Sequence, residues 1–184
     1  SYSEMMKNVI STRKGLLAEG FEGKHIALIG TSSIEWIESY LGIITGCTTA
    51  VPLDAALPCE ELIDLINRSD SEALFLSPKH RPYLEAFLAN CPKLQKVWML
   101  QEEVEDLPSG VYSINELRNT GISASADASC PATAKYTIMF PVKNPASTAE
   151  SDFLLQNTCK NLPDTRAFCK FSRIPDKKCN HGKR

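Results

Sequence analysis

Apolar side chains recur along the first hundred residues in two alternating rhythms, one near 3.6 residues and one as short continuous runs. Over residues 3–19, Met5, Met6, Val9, Ile10, Leu16 and Leu17 fall near the spacing of an amphipathic helix. Gly20 and Gly23 supply stop signals, because glycine enters the left-handed cap conformation without a Cβ clash. His25-Ile26-Ala27-Leu28-Ile29-Gly30 is a short apolar run, the pattern of a strand buried on both faces. Thr31-Ser32-Ser33 offers an N-cap, and Ile34, Trp36, Ile37, Tyr40, Leu41 and Ile44 form a helical stripe. Thr48-Thr49-Ala50-Val51-Pro52-Leu53 predicts a second strand ending near Pro52. Pro58 suits the first turn of a helix reaching about Ser69, with Leu62, Ile63, Leu65 and Ile66 turned inward. Ala73-Leu74-Phe75-Leu76 predicts a third strand, residues 80–90 a helix, and Lys96-Val97-Trp98-Met99-Leu100 a fourth strand.

Short apolar strands separated by helical segments predict an α/β fold: a mostly parallel sheet with helices on both faces, followed by an irregular tail. The connections are long enough to return parallel strands. No run reaches the roughly 18–20 apolar residues of a membrane span.

Charge divides the chain. Residues 1–117 carry 9 Lys/Arg against 17 Asp/Glu, a net of −8, whereas residues 118–184 carry 11 against 5, a net of +6. Four of the seven cysteines, Cys130, Cys159, Cys169 and Cys179, fall in the second part, after Cys47, Cys59 and Cys91. Two kinds of segment are expected. The first residue is Ser1, with no charged-then-apolar leader after it. Either something is removed before Ser1 or the chain begins inside a larger protein.

The ordered series of stretches carries a further signal. Tyr2-Ser3-Glu4, Gly15-Leu16-Leu17, Gly23-Lys24-His25-Ile26-Ala27-Leu28, Ser33-Ile34-Glu35-Trp36-Ile37 and Leu41-Gly42-Ile43-Ile44 follow one another at fixed spacing. Gly46, Ala50-Val51-Pro52-Leu53-Asp54, Leu57-Pro58-Cys59-Glu60-Glu61-Leu62 and residues 67–74 continue the series. Over about residues 2–100, and more weakly to 140, the chain resembles the N-terminal part of the acyl-adenylate-forming (AMP-binding) superfamily, acyl-CoA synthetases included. The resemblance implies an ATP-dependent acid–thiol ligase that activates a carboxylate as an acyl-adenylate, with ATP, Mg2+ and CoA as the family's cofactors. It also implies domain bounds: a partial AMP-binding α/β domain over 1–117, a linker and strand over 118–140, and a basic tail over 141–184. The matched region is scaffold. Gly46 would let the chain leave a helix tightly, and Glu35 and Trp36 would serve a helix face and the core.

The family's functional motifs have no counterpart. Its phosphate loop is rich in Ser, Thr and Gly and ends in Lys and Gly, but no glycine occurs between Gly121 and Gly182. Lys135-Tyr136-Thr137-Ile138-Met139-Phe140 resembles the strand that feeds that loop, and Pro141-Val142-Lys143-Asn144-Pro145 follows in the loop's place. With compatible codons, Ala146-Ser147-Thr148-Ala149-Glu150-Ser151 read one base earlier becomes Gly-Lys-His-Arg-Gly-Val, which is family-like. Residues from about 141 onward are therefore either an out-of-frame translation or a natural, different C-terminus. In both cases catalytic and cofactor-binding residues stay unknown. None of the cofactors is expected to bind tightly, and the chain is expected to be inactive alone.

Weaker chemical signals favour structural readings. Cys169, Cys179 and His181 lack the C-x2–4-C spacing that structural zinc prefers, so no metal site is expected. The odd cysteine count, without a leader, predicts reduced thiols and a cytoplasmic location. Cys59 lies at a helix start, which would lower its pKa, yet has no basic partner and is expected to pack. His25 is expected at a strand edge and His80 in a helix entry or loop. Glu60-Glu61 and Glu102-Glu103 are expected on solvated faces. Lys177, Lys178, Lys183 and Arg184 are basic without interleaved aromatics, so no nucleic acid is expected as a partner. A carboxylic acid is the expected substrate of the parent enzyme, with self-association through exposed apolar surface; the alternative is a non-catalytic interaction module with a basic tail.

Overall fold

The computed structural model describes residues 1–101, 106–124 and 137. In chain order these form α1 (Tyr2–Ala18), β1 (His25–Ile29), α2 (Ile34–Thr45), β2 (Thr49–Leu53), α3 (Cys59–Arg68) and β3 (Ser71–Leu76). A 3₁₀ turn (Pro78–Tyr83), α4 (Leu84–Asn90), β4 (Lys96–Met99), β5 (Val111–Ser113) and α5 (Ile114–Ser123) follow. The five strands make one sheet in the order β2-β1-β3-β4-β5, every pair parallel. Among the described residues, no helix is long and apolar enough to cross a membrane.

Strand alternation sorts the core into two layers. Ala27, Ile29, Leu74, Leu76, Val97 and Met99 face α3 and α4, packing with Leu62, Ile66, Leu84 and Phe87. Ile26, Leu28, Ala73, Phe75 and Trp98 face the other way, packing with Leu16, Ile43, Ile114 and Leu117 of α1, α2 and α5. Burial on both faces is why these strands read as continuous apolar runs.

Several expectations shift. The helix over residues 80–90 divides into the 3₁₀ turn and the short α4, because Pro82 has no N–H to give an α-helical ladder. The left-handed residue after α2 is Cys47, at φ 58°, not Gly46, at φ −94°. Ile34 and Ile37 of the α2 stripe are exposed, and Glu38, Ser39, Gly42 and Ile43 are the buried face. The fifth strand and α5 were not anticipated. Of the expected strand at 135–140, Thr137 is described: it bridges Ala50 in parallel, and its Oγ1 lies 3.0 Å from the Tyr40 hydroxyl. The expected tail at 141–184 lies outside the described residues.

Helix α1 packs against α2 and α5 at close range. A Cβ added at Gly42 would come within 2.8 Å of Thr12, and one at Gly15 within 2.3 Å of the Leu117 carbonyl. At Gly121 it would lie 1.9 Å from the Ser11 carbonyl. Only glycine permits these approaches.

Candidate functional site

In an open parallel sheet, connections that leave two neighbouring strands in opposite directions open a crevice beyond their carboxyl ends. Here β1 leads outward to β2, and β3 leads the other way to β4 and β5, so the switch lies between β1 and β3. A cleft of about 580 Å³ opens at that end. The β1 exit contributes Gly30, Thr31 and Ser32, the β2 exit Leu53, Asp54, Ala55 and Ala56, and the turn after β3 Lys79 and His80.

Local sequence builds each wall. The Ser77 amide donates to the Ile29 carbonyl at 2.9 Å, drawing the β3 exit onto the β1 exit. A Cβ at Gly30 would sit 2.8 Å from the Ser77 Cβ and 3.2 Å from the Trp36 ring, so glycine is required there. Ser33 then caps α2, its hydroxyl accepting from the Trp36 amide at 3.2 Å. Beyond β2, the Asp54 carboxylate accepts from the Ala56 amide at 2.9 Å, an Asx turn. His80 is buried, and its Nε2 lies 2.9 Å from the Ala55 carbonyl. A carbonyl only accepts, so Nε2 carries the hydrogen, while Nδ1 is buried without a partner.

The lining thus offers one ammonium, two exposed hydroxyls and one carboxylate, a set suited to holding a polar ligand. Both His80 nitrogens are withdrawn from solvent or committed to the backbone, so the imidazole is not presented to Ser32 or Thr31 as a base. Gly30 is the one glycine in the lining, and no group of three or more His, Cys, Asp or Glu able to hold a metal ion occurs among the described residues.

The other candidates are dispersed. His25 sits half-buried at the start of β1, its Nδ1 2.6 Å from the Ser69 carbonyl. Glu60 and Glu61 are exposed in the first turn of α3. Trp36 stacks on Tyr40 with centroids 5.5 Å apart and packs against the core. Cys59 and Cys91 are free thiols in or against the α3–α4 core layer. Burial, then the Glu60 charge, pushes the Cys59 thiol up, so the helix start does not activate it. Burial, reinforced by Cys59, pushes Cys91 from 9.0 up to about 11. Cys47 is half-buried at the turn after α2. Cys169, Cys179, His181, Glu102 and Glu103 lie outside the described residues.

One buried polar cluster escaped the sequence reading. Arg118 of α5 donates to Glu38 of α2 at 2.6 Å, both side chains being nearly fully buried, and Asn8 of α1 donates to both Glu38 oxygens at 3.1 Å. A carboxylate on the inward face of an apolar helix was the available signal. For α5, the signal was the Ser113-x-x-Glu116 capping box, whose two reciprocal bonds form at 3.2 and 2.9 Å.

Comparison with known proteins places this architecture. A curated CoA ligase from Gibberella moniliformis (strain M3125 / FGSC 7600) is 32% identical over 94 residues, covering 48% of this chain and 16% of that protein. Among solved structures, the coronafacic acid ligase from Pectobacterium brasiliense superposes with a TM-score of 0.68 at 20% identity, over 76% of this chain and 28% of that one. The anthranilate CoA ligase AuaEII, solved with anthranoyl-AMP, gives a TM-score of 0.64 at 18% identity, over 74% of this chain and 26% of that one. The chain therefore spans about a sixth to a quarter of the length of these proteins. The family model for AMP-binding enzymes matches residues 1–140. On that match, over 140 of the 184 residues, the chain belongs to the AMP-binding enzyme family.

Proposed function

We propose that this chain is the N-terminal part of an ATP-dependent acid–thiol ligase of the acyl-CoA synthetase kind, and that it does not turn over alone. The family match over residues 1–140 carries the reading, and the similarity to a curated CoA ligase supports the acyl-CoA branch. In that class ATP with Mg2+ serves to activate a carboxylic acid, and CoA accepts the acyl group. The described residues would contribute scaffold: three strand exits and the helices that fix them. No step is assigned to a residue here, because the lining among the described residues holds no glycine-rich phosphate cradle. A cytoplasmic location, the absence of a nucleic-acid partner and self-association through exposed apolar surface belong to the same proposal.

ATP–pyrophosphate exchange with a panel of carboxylates tests it. The 184-residue chain is expected to give none above background, and exchange by this chain would overturn its inactivity. Sequencing the gene across codons 130–184 and beyond decides the origin of the tail. A single-base shift near codon 141 that opens a longer frame should yield a protein that does exchange. If no such frame exists, the out-of-frame account fails and the natural C-terminus stands.

A further inference from the structure

The turn after β3 reads Pro78-Lys79-His80-Arg81-Pro82, a 3₁₀ segment with proline at both ends of the five residues. Proline fixes φ, so this turn is stiff before any tertiary contact forms. Its two central side chains then reach in different directions along the chain. The His80 imidazole donates from Nε2 to the Ala55 carbonyl, 25 residues back. The Arg81 guanidinium donates to the Asp106 carbonyl at 3.1 Å, 25 residues ahead.

The His80 bond matters because of what stands at each end of it. Ala55 lies in the loop after β2, between Asp54 and Ala56, all three lining the cleft. Lys79, the one ammonium in the lining, is the residue before His80. The β1 and β3 exits are already joined by backbone, through the Ser77 amide and the Ile29 carbonyl. The loop's own bonds, Ala56 and Leu57 amides to Asp54, shape it locally without tying it to either neighbour. His80 is the side chain that closes the third side.

We infer that His80 is the positioning residue of the cleft: its imidazole ties the β2 exit loop to the turn that carries Lys79, fixing the spacing of the walls before a ligand arrives. This rests on the proposed ligase reading only in taking the cleft as a site for a polar ligand. The tie itself concerns only this chain. A buried ring with one nitrogen spent on a backbone carbonyl is a strut, and it transmits position rather than protons. Preorganised walls spare a ligand the entropy of ordering them.

Amide hydrogen exchange on the full chain tests the inference without any assay of ligation. Glutamine places an amide N–H at nearly the reach of Nε2, whereas asparagine falls short. His80→Gln is expected to keep the exchange protection of the Ala56 and Leu57 amides. His80→Asn is expected to raise their exchange about tenfold, the effect of one lost net hydrogen bond, with β1 and β3 amides unchanged. Arg81→Ala is expected to leave the residue 54–57 amides as they were. Unchanged loop exchange in His80→Asn, or equal loosening in the Gln and Asn variants, would overturn the assignment. Should His80→Asn lose the sheet, the decision passes to His80→Gln, whose loop protection must match the unsubstituted chain. Exchange is blind to ATP, so failure here and failure of the ligase reading are distinguishable.

Discussion

Glu38 is almost wholly buried, and its charge is tolerated because Arg118 and Asn8 both donate to it. Removing one partner of such a pair leaves an uncompensated buried charge, so Arg118→Ala should cost about 3–5 kcal/mol in urea denaturation. The double replacement Glu38→Leu with Arg118→Met should recover most of that loss, since apolar groups of similar volume replace buried pairs at little cost. A double variant as unstable as the single one would show that the pair does more than satisfy itself. Cys91 makes a second prediction at this scale. Its folded pKa, about 11, stands above the ordinary 9.0. Between those values the unfolded chain gives up the thiol proton and the folded chain keeps it, so the contribution is complete below pH 9 and lost as pH rises toward 11. Stability measured against pH should therefore fall across that window, and Cys91→Ala should remove this part of the slope.

At the scale of elements, α1 is held by what its neighbours lack. With the Ser11 carbonyl 1.9 Å from where a Cβ would stand, Gly121→Ala must drive α1 and α5 apart. The expected loss is at the upper end of the ~1–3 kcal/mol typical of overpacking, read from thermal or chemical unfolding. Stability within a few tenths of the parent would refute the close approach. The same contact explains what a reader of the sequence misses. β1, β2, β3 and β4 were legible because both faces of each are apolar, and the segments between them had to be helical crossovers. The helix–helix layer was less so. Its buried face on α1 includes Ser11, Thr12 and Gly15, and on α2 Glu38, Ser39 and Gly42, whereas periodicity looks for large apolar side chains. Ile34 and Ile37 were drawn inward for the same reason and are in fact exposed. The cleft was invisible for a different cause. Gly30, Asp54 and Lys79 are brought together by strand order, and nothing in the spacing of the three announces that order.

For the molecule as a whole, the surface carries an apolar stripe. Tyr2, Met6 and Ile10 recur at four-residue intervals on α1, 80%, 44% and 44% exposed, and Ile122 of α5 is 74% exposed. Such surface favours association. Sedimentation velocity of the purified chain should show concentration-dependent oligomers, and Met6→Lys combined with Ile10→Glu should reduce them. A parent that stays monomeric with a cooperative melt would count against self-association. The sealing of α1 by α5 bears on how the chain comes into being. Translation makes α1 before α5, so α1 has no α5 to rest on until residue 121 has cleared the exit tunnel. Glu38 likewise waits 80 residues for Arg118. With every strand pair among the described residues parallel, no hairpin is there to start from, and each pairing must close a long loop before it repays the entropy. Packing of this part therefore lags its synthesis, because α1 and Glu38 both find their partners only once α5 has been made.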